Sequence, residues 1–291
     1  MKYKIPEAIT ANFFRLPFTG NKNHKVNYVS TPDTVDADCV IFYSRKDTSF
    51  LKTIEAGIII ADINLKDEIT EHKSQAIVFS EKPKYIFLSL LEKFFSNTFE
   101  GGTIASPDLE SVKISDKAYI ESKVAVGEGS EIYPHVAIYN PTIIGKNCRV
   151  QSGSVLGGIG LGDLWHNNRY NNFVHLGAVI IEDDVTIGTN VNISRGMLEN
   201  TVIGAGTRIA NNVSIGHSVT IGKNCYISSG VTIGGACVIE DNCWLAIGVT
   251  LIDHVKVGKN TMIGTGGVLI KDALEDSIYL GNPARKVSER V

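Results

Sequence analysis

The amino-acid sequence predicts a mainly β protein in which a small α/β domain, residues 1–100, precedes a parallel β-helix, residues 101–291. Two observations lead to this prediction. Aliphatic residues recur at every sixth position over most of the second segment, and glycines are concentrated after residue 100. The first segment lacks this spacing and alternates predicted strands with predicted helices, which is typical of an α/β domain.

Three short apolar runs predict strands in the first segment, at residues 38–43, 57–61 and 76–79. Residues 48–56, between the first two strands, and residues 84–95, after the third, are predicted as helices. The second helix has its apolar residues on one stripe. Neither a GxGxxG nor a GxxxxGK[ST] pattern occurs. Their absence from the sequence argues against a dinucleotide site or a phosphate-binding P-loop of the usual kinds.

The second segment is organised by a period of six. Stepping by six from Ile114 to Leu156 gives eight aliphatic residues in eight positions, and stepping from Ile203 to Leu269 gives twelve in twelve. This spacing fits neither an α-helix nor a simple alternating strand. It is typical of a β-helix in which three hexapeptides form one coil of 18 residues. The aliphatic side chains then point inward and stack at roughly the 4.7–4.9 Å strand spacing.

Two interruptions break this period. Residues 157–180 are polar and aromatic, and we predict that they leave the coil as a loop; residues 193–203 hold a shorter excursion. Loops on a rigid scaffold are frequent binding sites, and aromatic rings stack well on sugars. Four side chains of the longer loop are therefore candidates for sugar contact, with packing against a neighbouring subunit as the alternative: Trp165, His166, Arg169 and Tyr170.

Charge and composition exclude several classes of partner. The chain of 291 residues has a formal charge of −3, which argues against a nucleic-acid partner. No apolar run reaches the ~18 residues of a membrane span, and the first residues do not resemble a secretory signal. We therefore expect a cytoplasmic protein without a membrane span. Five cysteines without a CxxC pair predict buried free thiols and no bound metal.

Residues 175–222 (HLGAVIIEDDVTIG through NNVSIGHSVTIG) and residues 37–62 (ADCVIFY through GIIIAD) carry a resemblance to a known family. They resemble the left-handed β-helix acyltransferases, and within them the UDP-3-O-acylglucosamine N-acyltransferases of the lipid A pathway. The resemblance implies a left-handed coil and acyl transfer from a thioester to a sugar amine. It also implies a nucleotide-binding N-terminal domain, and a homotrimer with active sites between subunits.

The sequence departs from that family at several points. Ser194 stands where the family usually has Asp, and Ser218 where it usually has Asn. The aromatic pair around uracil matches only at Phe42, with Phe50 nearest to the second position. Residues 281–285, GNPAR, are similar to the tail of sugar acetyltransferases that use coenzyme A, and no helical extension of the kind that engages acyl carrier protein follows.

These departures lead us to expect transfer from acyl-CoA to another nucleotide-linked amino sugar. The alternative is the lipid A enzyme itself, which uses acyl carrier protein. A sugar-binding scaffold without catalysis is the non-enzymatic alternative. No permanently bound cofactor is expected, since the acyl donor is a cosubstrate.

The resemblance also assigns catalytic roles. Acyl transfer to an amine needs a base, a stabilised oxyanion and aligned substrates. His217 matches the family's catalytic histidine, and imidazole suits a base near neutral pH. Gly235 follows one coil later and matches the glycine whose N–H meets the oxyanion. His254 matches a second histidine near the thioester. The structural alternatives are a surface histidine, a turn glycine and a solvated histidine.

Further residues are predicted to bind the substrates. Phe42 is a candidate for stacking on the nucleotide base, with core packing as the alternative. His175 and Asn211 join the candidates for acceptor binding, and a corner-stabilising role is the alternative for Asn211. Three residues are predicted to bind the donor: Gly248, Gly266 and Arg285. The Arg285 guanidinium suits a coenzyme A phosphate, although a carboxylate partner is equally compatible. A zinc enzyme is disfavoured, because His175, His217 and His254 lack suitable spacing for three metal ligands.

Overall fold

The computed structural model describes residues 1–44, 48–69, 72–95, 111–161 and 164–290, and the chain divides into two compact units. The first unit comprises Met1–Asn97 and Gly162–Val174, and the second comprises Thr98–Leu161 and His175–Val291. The predicted boundary at residue 100 lies outside the described residues. The division assigns residues 162–174 to the first unit, although we predicted them as part of a loop of the β-helix domain.

The first unit is built on one mixed sheet. In the described residues its strands are β1 (Lys2–Ile9), β2 (Phe18–Gly20), β3 (Val26–Ser30), β4 (Cys39–Tyr43), β5 (Ile58–Asp62) and β6 (Ala76–Ser80), in the spatial order β1-β3-β4-β5-β6-β2. Strands β3 to β6 are parallel, and β1 and β2 run antiparallel on the edges. The helices are α1 (Ser49–Thr53) and α2 (Pro83–Phe94), with 3₁₀ turns at Ala11–Phe14, Pro32–Thr34 and Ile63–Leu65.

The predicted α/β character of this unit is confirmed, with two differences. The helix expected over residues 48–56 is shorter, and β1 to β3 were not predicted. In β1 only Ile5 and Ile9 are buried, because an edge strand leaves most of its side chains in solvent. Its charged sequence KYKIPEAI therefore lacks the apolar run that revealed β4, β5 and β6.

The second unit is a parallel β-helix, as predicted. The strands after α2 are, in chain order, β7 (Lys113–Ile114), β8 (Tyr119–Ile120), β9 (Ala125–Val126), β10 (Glu131–Ile132), β11 (Ala137–Ile138), β12 (Thr142–Ile144), β13 (Arg149–Val150), β14 (Val155–Gly158), β15 (Leu164–His166), β16 (Arg169–Asn171), β17 (Val179–Ile181), β18 (Thr186–Ile187), β19 (Asn192–Ser194), β20 (Thr201–Ile203), β21 (Arg208–Ile209), β22 (Ser214–Ile215), β23 (Thr220–Ile221), β24 (Tyr226–Ile227), β25 (Thr232–Ile233), β26 (Val238–Ile239), β27 (Trp244–Leu245), β28 (Thr250–Leu251), β29 (Lys256–Val257), β30 (Met262–Ile263), β31 (Val268–Leu269), β32 (Ser277–Leu280) and β33 (Arg285–Glu289). Apart from β15 and β16, they form three sheets, and successive coils pair in parallel at a separation of 18 residues, as in Ile215 with Ile233.

Strands β15 and β16 form an antiparallel hairpin in the first unit. The two residues between them, Asn167 and Asn168, both have positive φ angles, of 52° and 57°. This is the signature of a two-residue type I′ turn, which asparagine tolerates better than most residues. The stretch that we predicted as an irregular loop therefore contains a regular element.

The coil is interrupted at the two predicted places. Across the first excursion the paired residues Thr142 and Val179 are 37 positions apart in place of 18, and across the second Val179 and Thr201 are 22 apart. The coil resumes the same three sheets after each excursion. The excursions are therefore insertions into an otherwise continuous helix.

From Ile132 to Leu269 each hexapeptide of the coil buries at least two residues, where the sequence predicted one. The residue two positions before the inward aliphatic is also buried, as for Val219 before Ile221 and Cys225 before Ile227. Four cysteines occupy this second column: Cys148, Cys225, Cys237 and Cys243. Their thiols donate to carbonyl oxygens further along the chain; Cys225 Sγ, for example, lies 3.2 Å from the Glu240 oxygen.

All five cysteines are buried and free, as predicted. Burial raises the pKa of the Cys39 and Cys148 thiols, and that of Cys237 to about 11. The side-chain hydrogen bond with Cys243, followed by burial, raises the pKa of Cys225. Protonated thiols are poor nucleophiles. The raised pKa values therefore indicate that these thiols fill the core and are poor nucleophiles: Cys39, Cys148, Cys225 and Cys237.

The stacked columns predict how neighbouring substitutions differ. Ile221→Ala should lower the free energy of unfolding by about 2–5 kcal/mol, because it opens a cavity in the buried column. Thr220→Ala, on the exposed face of the same strand, should change it by less than about 1 kcal/mol. Urea unfolding followed by circular dichroism measures both variants. Equal effects of the two substitutions would contradict the inward assignment.

Candidate functional site

His217 lies at the corner between β22 and β23 and is half-buried. The backbone directly after it is held by side chains. The Ser218 N–H donates to Thr201 Oγ1 at 2.9 Å, and Thr201 Oγ1 donates to the Ser194 carbonyl at 2.7 Å. Ser218 Oγ in turn accepts from the Met197 N–H at 3.2 Å. The corner that presents His217 is therefore tied to the second excursion.

Gly235 lies beside His217 one coil further on, as predicted. A Cβ atom at position 235 would stand 2.8 Å from His217 Nε2 and 2.9 Å from Cε1, which is closer than atoms in contact approach. Equivalent corners carry a carboxylate at this place: Asp241 follows Lys223 by one coil, and Asp253 follows Gly235. Glycine at position 235 therefore leaves the space that the imidazole ring occupies.

The predicted oxyanion role of Gly235 stays a prediction, and its N–H already has a partner in the structure. It donates to Asp253 Oδ1 at 2.7 Å. The same kind of corner hydrogen bond joins Lys146 to Asp183 at 2.7 Å and Lys223 to Asp241 at 2.8 Å. An oxyanion at this corner would therefore have to share or displace the Asp253 carboxylate. A second contribution of Gly235 is the space it leaves for His217.

His175 is completely buried, with 0% of its surface exposed, and packs against His217. The two ring centroids are 5.6 Å apart and the rings are inclined at 77°. We predicted His175 as a contact of the acceptor sugar, and its burial contradicts that role. Gly160, which the sequence analysis did not single out, lies against both rings. A Cβ there would stand 3.3 Å from His217 Cδ2 and 3.5 Å from His175 Nε2.

His254 occupies a corner position with a positive φ of 64°, and its side chain is exposed. It belongs to the stack formed by Ser218 and Ala236, whose φ angles are 58° and 56°. Its N–H donates to the Gly235 carbonyl at 2.9 Å. Two strand spacings, roughly 9–10 Å, therefore separate its backbone from the coil of His217. Its supporting role at the thioester stays a prediction.

The residues predicted to bind the sugar separate into two groups. Trp165 and Tyr170 pair across the hairpin with ring centroids 5.0 Å apart, and they are 58% and 70% exposed. Arg169 is also exposed. His166 instead packs on Tyr85 of α2, with ring centroids 3.8 Å apart, and its Nδ1 lies 3.1 Å from Lys82 Nζ. Burial and the charge of Lys82 lower the pKa of His166.

A cavity of about 390 Å³ opens in the first unit beside His166. It lies at the carboxyl end of β6 and the start of α2, and six of its lining residues are Pro17, Phe79, Ser80, Lys82, Tyr85 and His166. Ligands of parallel α/β sheets bind outside the carboxyl ends of the strands. Lys82 and Tyr85 escaped prediction because no sequence signal distinguishes them from ordinary residues of an exposed helix start.

Phe42 does not line this cavity. Its ring packs on Phe87 of α2 with the centroids 5.1 Å apart, and it is half-buried. Phe50, the nearest candidate for a second aromatic, stacks on Tyr43 at 5.3 Å. The contact with Phe87 agrees with the packing alternative for Phe42. Its stacking on a nucleotide base stays a prediction.

The remaining predicted residues belong to corners and to the end of the helix. Asn211 Oδ1 accepts from the Thr189 N–H at 2.9 Å, which agrees with a corner-stabilising role, and its contact with the acceptor stays a prediction. Gly248 and Gly266 have φ angles of 69° and 67° with open space where a Cβ would stand. Arg285 begins β33, is exposed, and donates to the carbonyl of Ala284. The donor-binding roles of Gly248, Gly266 and Arg285 stay predictions.

In the part of the chain that the structure describes, no three His, Cys, Asp or Glu side chains are grouped so that they could hold a metal ion. Nor does any helix there have the length and apolar character needed to cross a membrane.

Comparisons with known proteins agree with the β-helix. Residues 123–158 and 200–235 match the family model "Bacterial transferase hexapeptide (six repeats)". UDP-3-O-acylglucosamine N-acyltransferase of Pseudomonas putida is 40% identical over 101 residues, 35% of this chain and 29% of the relative. The enzyme of the same name from Pseudomonas fluorescens is 43% identical over 94 residues, 32% of this chain and 27% of the relative. The chain thus spans less than a third of the length of these curated relatives.

Among solved structures, the chain resembles the UDP-N-acetylglucosamine acyltransferase of Francisella novicida. The TM-score is 0.53 at 25% identity, over 63% of this chain and 67% of that protein. Together with the matched repeats and the observed coil, this likeness shows that the second unit has the fold of a left-handed, hexapeptide-repeat β-helix.

The arrangement of Lys82 and His166 predicts a change in titration. Lys82→Met removes a positive charge from the neighbourhood of His166, so the imidazolium becomes less unfavourable and the pKa of His166 should rise. Lys84→Met removes a charge from the exposed side of the same helix and should leave that pKa unchanged. Titration of the His166 ring protons by NMR measures both variants. An unchanged pKa in Lys82→Met would show that the two side chains do not interact in solution.

Proposed function

We propose that the protein is an N-acyltransferase that moves an acyl group from a thioester to the amine of a nucleotide-linked amino sugar. The observation that carries the proposal is the placement of the His217 imidazole over Gly235 at one corner of the coil. Both residues lie inside residues 200–235, which match the bacterial transferase hexapeptide model. The names of the curated relatives supply the class of reaction.

In the proposed mechanism both substrates bind before reaction, and no covalent enzyme intermediate forms. The sugar amine attacks the thioester carbonyl, and His217 takes one proton from the attacking nitrogen. The C–S bond then breaks, the amide forms, and the departing sulfur receives a proton to leave as the thiol. An imidazole is suited to both proton transfers near neutral pH. The mechanism uses no cysteine, in line with the burial of all five thiols.

The nucleotide of the acceptor is assigned to the cavity of the first unit. Tyr85 and His166 offer aromatic surface to a base, and the Lys82 ammonium offers charge to a phosphate. The exposed rings of Trp165 and Tyr170 offer a further surface for a sugar. Stacking of the base on Phe42 stays an alternative to these assignments.

Two candidate acceptors and two candidate classes of donor are compatible with this reaction. The GNPAR tail led us to expect acyl-CoA and an amino-deoxysugar linked to a nucleotide. The relatives are named for UDP-3-O-acylglucosamine, which favours the lipid A acceptor, and with it acyl carrier protein as donor. We therefore place the lipid A reaction first and the CoA-dependent reaction second. A cytoplasmic homotrimer is part of either proposal, and light scattering after gel filtration tests the oligomeric state.

A thiol-release assay that crosses the donors with the acceptors tests the proposed function. The donors are acetyl-CoA, 3-hydroxybutyryl-CoA and a long 3-hydroxyacyl carrier protein; the acceptors are UDP-3-O-acylglucosamine and a dTDP-linked amino-deoxysugar. Turnover of the carrier protein with the acylated glucosamine supports the lipid A reaction. Turnover of a CoA thioester with the deoxysugar supports the second candidate. If none of the donor and acceptor pairs gave thiol release, the proposed activity would be refuted.

The role of His217 predicts a specific loss. His217→Ala should reduce turnover at least ~10²-fold, the usual contribution of a general base, while the circular dichroism spectrum stays that of the wild type. His135→Ala is the matched control, because His135 is an exposed corner histidine of an early coil. It should retain wild-type turnover. Near-normal turnover of His217→Ala would remove His217 from the role of base.

A further inference from the structure

The completely buried ring of His175 is not used by the mechanism described above. We propose that His175 is a positioning residue, which holds the His217 ring in one orientation and one tautomer, with Nε2 directed to the reacting amine. This inference rests on the proposed function, because it assigns His217 as the base. It replaces the contact with the acceptor sugar that the sequence led us to expect for His175.

The backbone directly after His175 is fixed by hydrogen bonds to the second excursion. The next two residues pair with the second excursion: the Leu176 N–H donates to the Met197 carbonyl at 2.7 Å, and the Gly177 N–H to the Gly196 carbonyl at 3.0 Å. Met197 also donates to Ser218, the residue after His217. The two histidines are therefore anchored to the same short segment, although they are 42 residues apart in the chain.

Each of the two rings has a nitrogen that is buried. His175 Nε2 and His217 Nδ1 are both shielded from solvent. The other nitrogen of His217, Nε2, lies beside Gly235, 2.8 Å from where a Cβ atom at position 235 would stand. A histidine that acts as a base presents one nitrogen to the substrate, and its surroundings fix the proton on the other. The buried Nδ1 and the adjacent His175 provide such surroundings.

Gly160 lies beside both rings. A Cβ atom at position 160 would stand 3.2 Å from His217 Cβ and 3.5 Å from His175 Nε2, so a side chain there would press on both residues. The packing at Gly160, His175 and His217 brings together the beginning of the first excursion, its end and the catalytic corner.

Burying an imidazole is unfavourable unless its polar atoms are satisfied, so an apolar residue would be the simpler choice for packing alone. A purely structural His175 would therefore be replaceable by leucine with little effect on the reaction. A positioning His175 would be replaceable by glutamine, whose amide still forms hydrogen bonds, but not by leucine. The two roles predict different rankings of the same variants.

The kinetic test compares His175→Leu, His175→Gln and a packing control, Leu198→Ala, in the full chain with the substrates identified by the thiol-release assay. His175→Leu should lower kcat about tenfold or more and leave the KM of both substrates within twofold of wild type. His175→Gln should recover most of the lost kcat. Leu198→Ala removes a buried side chain of the second excursion and should lower stability without this loss of kcat. Wild-type kcat in His175→Leu, or a raised KM for the acceptor with unchanged kcat, would overturn the proposal.

An NMR measurement keeps the proposal testable if the activity is absent or a variant fails to fold. The ¹⁵N shifts of the His217 ring, assigned with His217→Ala, should report a single tautomer protonated at Nδ1 in the wild-type protein. They should remain so in His175→Gln and shift toward averaged tautomers in His175→Leu. Averaged tautomers in the wild type would overturn the proposal without reference to turnover. A single tautomer together with no thiol release would refute the proposed function and leave the positioning of His217 intact.

Discussion

The structure depends on one constraint: each coil must place its backbone in register with the coil before it. The Gly216 N–H donates to the Ile233 carbonyl at 2.9 Å, and the Gly234 N–H to the Leu251 carbonyl at the same distance. Because both partners of each bond belong to consecutive coils, within residues 201–269 a residue is stacked on the one 18 positions later. Every column of the helix, whether buried or exposed, follows from this register.

The candidate site arises at a corner that lacks a carboxylate. Other corners of the coil carry Asp183, Asp241 or Asp253 at the equivalent position after a strand, and Gly235 supplies no such side chain. A carboxylate at that step would serve the N–H of the preceding coil, but its Cβ would displace the His217 ring. The stabilising corner bond and the imidazole therefore compete for the same space. Position 235 therefore supplies no carboxylate to a backbone N–H, and the space is occupied by a side chain that can exchange protons.

The register explains which features could be predicted from sequence. The six-residue period locates the buried column, and eighteen residues of separation place Gly235 beside His217, because both depend only on counting along a regular repeat. Other features depend on contacts that no repeat encodes. His175 lies outside the period, and Lys82 and Tyr85 belong to the other unit. The hydrogen bond from the Gly235 N–H to Asp253 Oδ1 depends on how the aspartate side chain is oriented, which the repeat does not specify. The second buried column was missed because it mixes Val with Cys, Ser and Thr, whose thiols and hydroxyls bond to carbonyl oxygens.

The two interruptions of the period meet at the same corner. Gly160 and His175 begin and end the larger excursion beside the His217 ring, and Met197 of the smaller excursion binds Ser218. The Arg195 N–H, donating to the Gly158 carbonyl at 2.9 Å, links the two excursions to each other. A regular coil offers every corner the same flat surroundings, so it cannot by itself bury one side of a histidine and leave the other available. The insertions supply that asymmetry at His217, and this is the physical reason to assign the chemistry to that corner.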